Sequence, residues 1–408
     1  MKQRMVVVGG GYAGLNMVNS LKKQFAGEKG VQITLIDKEV YHLRKVLLFQ
    51  RAVEEAQLKV PLSAYFDDTV EVIQSELSAV DPRQKHITIR HPDGQSEALY
   101  YDRLILCLGS KVVSAAPGQG GISLTDTDSG DRIRLRLEQN VHDARLASDE
   151  SERRRLLSAA VVGGGITGIE TASELVHGLR RKAAAAGLDP ALVTVTLINS
   201  QPRLLEAAPP HVSQRLEREL GELGVHIMHS ARAEAYREAE GVLLLHGGDS
   251  LTAGACVWTL GLRPNPLVQQ LGLPVVGNGK LQIDARYHVK GSEGIYAIGD
   301  CAHVLDHVTG KPDGMTCKEA IPQAMRLAKI LKDELAGIKG PAHASYINLF
   351  CIGLGPDKGF VWIQKWGMNI MLTGKLGRYI RRLTWDIASL MNRKSADQLL
   401  VKAGQKQA

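Results

Sequence analysis

Short apolar or alternating runs, several closed by glycine, recur along this 408-residue chain between segments whose apolar positions repeat every three to four residues. Met5–Val8, Val31–Ile36, Leu104–Leu108, Leu157–Val162, Val193–Ile198, Ala255–Leu260 and Ile295–Ile298 are the runs, and their length suits buried strands. From Leu15 the pattern changes to helical spacing through Met17, Val18 and Leu21, and a charged helix is expected over Asp131–Ala147. Strand and helix alternating in this way predict an α/β fold built on parallel sheets. Residues 71 to 91 read differently, as alternating strands around Asp81-Pro82, with a hairpin turn at His91-Pro92-Asp93-Gly94.

The glycines carry the candidate chemistry. Gly9, Gly11 and Gly14, with Ala13 between them, join the first strand to the first helix in G-x-G-x-x-G spacing. Such a turn lets backbone approach a pyrophosphate at a helix N-terminus. Asp37 closes the next strand, 23 residues past Gly14, where a carboxylate binds a ribose hydroxyl. The arrangement then repeats with Gly163, Gly165 and Gly168, a helix carrying Glu170, and a strand ending in Asn199-Ser200. Two dinucleotide units in one chain imply two nucleotides, and the economical pair is a bound flavin and a nicotinamide. Asn199 does not repel a 2′-phosphate as an acid would, and Arg203 is placed to approach one. NADH and NADPH both stay open, with a lean to NADH. Gly109 and Gly261 end two further strands, and Gly294–Gly299 delivers Asp300 to a strand end that faces the ligand crevice. Tyr41–Leu48, with Lys45, either lines a flavin or begins a surface helix.

Composition changes the picture in two places. The content, 44% hydrophobic and 23% charged, is ordinary for a globular protein. Five scattered cysteines form no C-x-x-C pair, against a redox disulfide or a zinc knuckle. Charge is uneven: the segment from Val361 onward holds nine Lys/Arg and two Asp/Glu, a balance of +7 that equals the whole chain's. The basic character therefore belongs to the tail and points to an anionic surface rather than nucleic acid. There Leu376, Tyr379, Ile380, Leu383, Ile387, Leu390 and Met391 fall on one helical face, with Arg378, Arg381, Arg382 and Arg393 largely elsewhere and Trp362, Trp366 and Trp385 nearby. That pattern suits a helix lying in a membrane interface, the alternative being docking on the protein body or in a homodimer. The Lys-Gln-Arg start leads directly into a strand, and no apolar stretch approaches the ~20 residues of a span. The expected location is cytoplasmic, on the inner face of the cell membrane.

Four motifs in order, at 9–14, 101–109, 163–170 and 294–300, resemble the two-dinucleotide flavoprotein superfamily over essentially the whole chain. The resemblance implies two Rossmann-type domains: 1–113 with 262–335 for FAD, 114–261 for NAD(P)H, and 336–408 as a C-terminal extension. It implies that the first turn and Asp37 hold FAD, Asp300 its ribityl or phosphate groups, and the second turn NADH or NADPH. Glu170 and the Trp258–Pro266 segment look like type II NADH:quinone oxidoreductases. The tail from Tyr346 onward also looks like the ferroptosis-suppressor and apoptosis-inducing-factor-like group. In the type II enzymes two glutamines four apart stand beside the quinone. Here the matching positions are Glu319 and Gln323, after Lys318, with Pro322 expected to interrupt the helix. The implied reaction is hydride transfer from NAD(P)H to FAD and then two electrons to a quinone. Glu170 is expected to orient the nicotinamide or relay a proton, or else to be an exposed first-turn glutamate, and Lys45 to favour negative charge on the reduced ring. The rivals are a redox-sensing flavoprotein acting through a partner, an iron–sulfur-protein reductase, and a sulfide:quinone reductase using two of Cys301, Cys317 and Cys351.

Overall fold

The computed structural model describes residues 2–345 and 348–391. Two five-stranded parallel sheets dominate it. The first has the order Ile295–Ala297, Arg103–Leu106, Gln3–Val8, Val31–Asp37 and Val70–Gln74. The second has the order Ile122–Ser123, Ala255–Trp258, Ser158–Val162, Thr194–Ile198 and Val225–Met228. In each, the first strand of a glycine unit sits centrally and the order reverses beside it, which opens a crevice at the strands' C-terminal ends. An antiparallel sheet, Glu76–Asp81, His86–Arg90 and Ser96–Tyr100, occupies the expected alternating region.

Four helices position the sites. Helix α1 (Tyr12–Gln24) leaves the first glycine turn and α2 (Ile166–Ala185) the second. Helix α3 (Cys317–Leu335) follows the Asp300 turn and packs along α1, and α4 (Gly374–Ala388) closes the described chain. Their apolar stripes face the sheets: Leu15, Met17, Val18 and Leu21 of α1 are fully buried, as are Leu327, Ala328 and Leu331 of α3. Pro322 does not interrupt α3 as expected. It sits in the second turn, and the helix runs on for three more.

Two connections join the units. Ser110–Val112 and Leu262–Pro264 cross side by side as an antiparallel ribbon. Residues 47–58 of the first unit are built into the core of the second, where Leu48, Phe49 and Val53 are buried against α2. An added Cβ at Gly178 of α2 would lie 2.7 Å from Val53 Cγ1, so the glycine makes room for this wedge.

The C-terminal module is a three-stranded antiparallel sheet, Asn348–Leu354, Lys358–Lys365 and Met368–Thr373, with α4 laid on one face. The sequence reading anticipated the helix and not the sheet. Trp362 and Phe360 sink into the second unit's core together with Trp385 of α4. Arg393 and Tyr346, named above, lie outside the described residues.

Candidate active site

The two glycine turns are built alike. Gly9 has φ +109° and Gly163 φ +118°, both in the region that favours glycine. A Cβ on Gly9 would lie 2.3 Å from Cys107 O, and one on Gly163 would lie 2.3 Å from Thr259 O, so each turn presses on the neighbouring strand's end. A Cβ on Gly14 or Gly168 would come within 2 Å of the first glycine's carbonyl, at 1.7 and 1.8 Å. Gly11 and Gly165 are different: nothing lies within 4 Å of an added Cβ. Those open faces are N-caps of α1 and α2, with no side-chain cap and no acidic residue in the first turn. Free N–H groups and the helix dipole there make a cradle that fits a pyrophosphate.

Around the first turn lies a cleft of about 810 Å³. Gly9, Gly11, Ala13, Asp37, Lys45, Gly109 and Asp300 all line it, and Gly14 lies directly behind. Asp37 accepts from Gly10 N and, at 2.8 Å, from Glu39 N, which leaves its outer edge toward the cleft. Burial raises its pKa while those two amides counteract. His42 is completely buried beneath the turn and donates from Nδ1 to Gly10 O at 3.0 Å. Burial pushes its pKa down to about 4, so it braces the turn as a neutral ring.

Lys45 and Asp300 meet through a residue the sequence reading passed over. Ser110 O accepts from Lys45 Nζ at 3.1 Å, and Ser110 Oγ donates to Asp300 Oδ2 at 2.6 Å. Burial lowers the Lys45 pKa and Asp300 opposes it. Behind them Gln323 is 1% exposed. Its Oε1 accepts from Gly299 N at 2.8 Å and its Nε2 donates to Asp313 Oδ2 at 2.8 Å. The amide therefore ties the Gly299–Asp300 turn to Asp313. Glu319 faces Thr316 and Lys318, the latter at 3.2 Å, and burial raises its pKa.

In the second unit Asn199 takes the place that Asp37 has in the first. An added Cβ on Gly164 would lie 2.3 Å from Asn199 Oδ1. Arg203 does not approach the crevice end as expected. Its guanidinium donates to the carbonyls of Leu205, Ala208 and Glu206 and to Ser213 Oγ, stapling the loop before the Pro210–Leu223 helix. Gly261 has φ +89° and open space around it, at the start of the inter-unit ribbon.

Glu170 corrects one reading given above: it is 2% exposed, so it is not an exposed first-turn glutamate. Oε1 and Oε2 accept from Arg381 Nε and Nη2 at 2.8 and 3.0 Å, and Oε1 also accepts from Gly353 N at 2.7 Å. The pair ties α2 to the C-terminal module. At the other end of α4, Arg44 donates to Asp386 Oδ1 at 2.6 Å and Asn16 Nδ2 to Ala388 O at 2.9 Å, so the same helix is also pinned to the first unit.

The cysteines are all free thiols. Cys301 is fully buried and donates to backbone carbonyls, and Cys351 is buried in the C-terminal sheet. Of the three candidates for sulfur chemistry, Cys317 alone lines the cleft, and burial pushes its thiol up to about 11.

A family model for pyridine nucleotide-disulphide oxidoreductases matches residues 3–324. The chain belongs to that family. The type II NADH:quinone oxidoreductase NdhA of Mycobacterium tuberculosis is 27% identical, the match covering 96% of this chain and 83% of that protein. Among solved structures, NDH2 of Plasmodium falciparum in complex with NADH superposes with a TM-score of 0.79 at 16% identity, covering 98% and 97% of the two chains. The sulfide:quinone oxidoreductase of Aquifex aeolicus superposes with a TM-score of 0.74 at 16% identity, covering 94% and 90%. The fold is thus the α/β, two-nucleotide architecture of flavin-dependent oxidoreductases, with the family match ending at residue 324, before the C-terminal module.

Proposed function

We propose that this protein is an FAD-dependent NADH:quinone oxidoreductase working at a membrane surface. The observation that carries it is the duplicated open cradle, one copy in a large cleft and one on the second sheet, in a chain similar to type II NADH:quinone oxidoreductases along nearly its full length. When bound, FAD supplies the chemistry, taking a hydride from NADH and giving two electrons to a quinone. The chain's own residues hold and tune. Gly11 and the free amides of α1 receive the pyrophosphate, Asp37 the adenosine ribose, and Asp300 the polar chain between phosphate and ring system. Lys45, held by Ser110 O, places a cation where electron density increases on reduction, and Asp300 opposes the lowering of its pKa by burial. Gln323 positions the Asp300 turn rather than touching the acceptor.

The C-terminal helix supports the membrane part of this reading by being turned inside out. Arg381 and Trp385 of α4 are buried, while Leu376, Tyr379, Leu383 and Ile387 are 44–57% exposed. Trp366, at the tip of the last hairpin, is 82% exposed, with the Lys365 ammonium over its ring at 4.3 Å. Lys375 and Arg382 flank the apolar stripe, the pattern of a helix that lies in an anionic interface. No helix among the described residues is long and apolar enough to cross a membrane. Because α4 ends against Asn16 and Arg44 beside the cleft, a membrane-bound α4 holds that cleft close to a lipid-soluble acceptor. Anaerobic NADH should bleach the flavin-loaded protein, and a short-chain quinone should restore the colour. Bleaching that quinone fails to reverse would refute the acceptor.

A further inference from the structure

The nicotinamide site lacks the charge that normally rejects NADPH. Comparison of the two units within the chain shows it. In the first, an ionisable acid, Asp37, closes the second strand and binds Gly10 N. In the second, the same place at the end of Thr194–Ile198 is filled by Asn199, which is 4% exposed and brackets Gly164 with its Oδ1. The amide orientation is fixed by its partners. Gln201 O can only accept, and it lies 3.0 Å from Nδ2, so Nδ2 points away from the glycine turn. The same Nδ2 lies 3.1 Å from His229 Nδ1, which must therefore be the bare ring nitrogen. His229 thus carries its proton on Nε2, facing Glu217 Oε1 at 3.4 Å. Glu217, the acid in this chain of contacts, is one residue further removed and already accepts from Leu204 N at 3.0 Å. Asn199 therefore occupies the place of Asp37 beside the glycine turn with no negative charge, its Oδ1 accepting from Gln201 N at 3.4 Å rather than from the turn.

A carboxylate at this position discriminates twice: it accepts from the 2′-hydroxyl of NADH and repels the 2′-phosphate of NADPH. An amide oxygen keeps the first interaction and loses the second. Ser200 and Gln201, the next two residues, are exposed and carry no charge. Arg203 is the nearest cation in sequence, and all its partners are neutral oxygens, so its charge is not cancelled by an acid among those contacts. It does not grip a phosphate, and its field does not oppose one.

We infer that this protein oxidises NADPH as well as NADH, with Asn199 setting the tolerance; the inference rests on the second unit being the nicotinamide site. The net reaction converts NADPH, one proton and a quinone into NADP⁺ and the quinol. The test is calorimetric titration of the flavin-loaded protein with NAD⁺ and with NADP⁺, backed by kcat/KM for both reduced forms. Dissociation constants within about tenfold of each other are expected. In Asn199→Asp the ratio of NADP⁺ to NAD⁺ affinity should fall at least ~20-fold, since like charges then meet. NADP⁺ binding more than tenfold weaker than NAD⁺ in the unaltered protein, or a ratio unmoved by Asn199→Asp, overturns the inference. NADH bleaching of the flavin separately tests the broader reading: bleaching by NADH with rejection of NADP⁺ refutes this step alone. No binding of either nucleotide refutes both.

Discussion

The Glu170–Arg381 pair gives the sharpest quantitative expectation. Its side chains are 3% and 10% exposed, and three hydrogen bonds of 2.7–3.0 Å hold the carboxylate. Arg381→Met leaves the Glu170 charge buried with one amide for company, and breaking a buried pair in that way costs about 3–5 kcal/mol. Some of that is the lost stacking of the guanidinium over Trp385, 5.0 Å from its ring centroid. Replacing both partners, as Glu170→Gln with Arg381→Met, removes the stranded charge and should recover all but ~1–2 kcal/mol. The exposed Arg154–Glu150 pair, at 57% and 65%, is the control: Arg154→Met should cost under ~1 kcal/mol. Urea unfolding followed by tryptophan fluorescence reads the module, because Trp362 and Trp385 are buried there. At a slope of ~2 kcal/mol per molar, Arg381→Met should lower the midpoint by ~1.5–2.5 M. A shift below ~0.5 M, or a double variant no better than the single one, refutes the reasoning that this ion pair locks the module to α2.

Glu174, one turn along α2, is pushed up to about 7 by burial, from 4.5. The folded state thus keeps this proton longer than the unfolded one. The group's contribution to stability is complete below pH 4.5 and disappears as pH rises through 7, so Glu174→Gln should flatten the fall in urea midpoint over that window. Gly11→Val fills the open face of the first cradle, and the purified protein should lose more than ~90% of its flavin while keeping its circular dichroism. Gln323→Leu strands Gly299 N and removes one of the partners of Asp313, and should weaken flavin retention ~10-fold or more in a dialysis assay. Leu383→Glu with Ile387→Glu should reduce co-sedimentation with anionic vesicles at least ~10-fold without altering NADH binding.

The fold class could be read from the sequence because glycine turns are under covalent and steric constraint. No other residue fits between Gly9 and Cys107 O or between Gly14 and Gly9 O, so spacing alone announces the geometry. Asp300 and Asp37 were placed on strand ends, and strand ends in parallel sheets converge on one crevice, whereas Lys45 reaches the same cleft from a short helical turn that the sequence left open. What escaped was tertiary. Ser110 joins Lys45 to Asp300, but a serine after a strand-ending glycine has no distinctive pattern. Glu170 sits on a helix that begins at the nucleotide turn, yet its side chain points to Arg381, 211 positions away. Arg203 was read as able to approach a 2′-phosphate because nothing in sequence shows three carbonyls closing around it. The tail's stripe holds for Leu376, Tyr379, Leu383 and Ile387, exposed on α4 while Arg381 and Trp385 face inward, but Leu390 and Met391 fall beyond the helix end at Ala388 and Met391 is buried.

The most direct test of the central claim is steady-state NADH oxidation by the flavin-loaded protein with and without a short-chain quinone. The structure leads to a quinone-dependent rate in the ordinary enzyme range of ~1–1,000 per second, well above the rate without quinone. A rate that quinone does not raise would contradict the claim and leave a flavoprotein whose acceptor is something else.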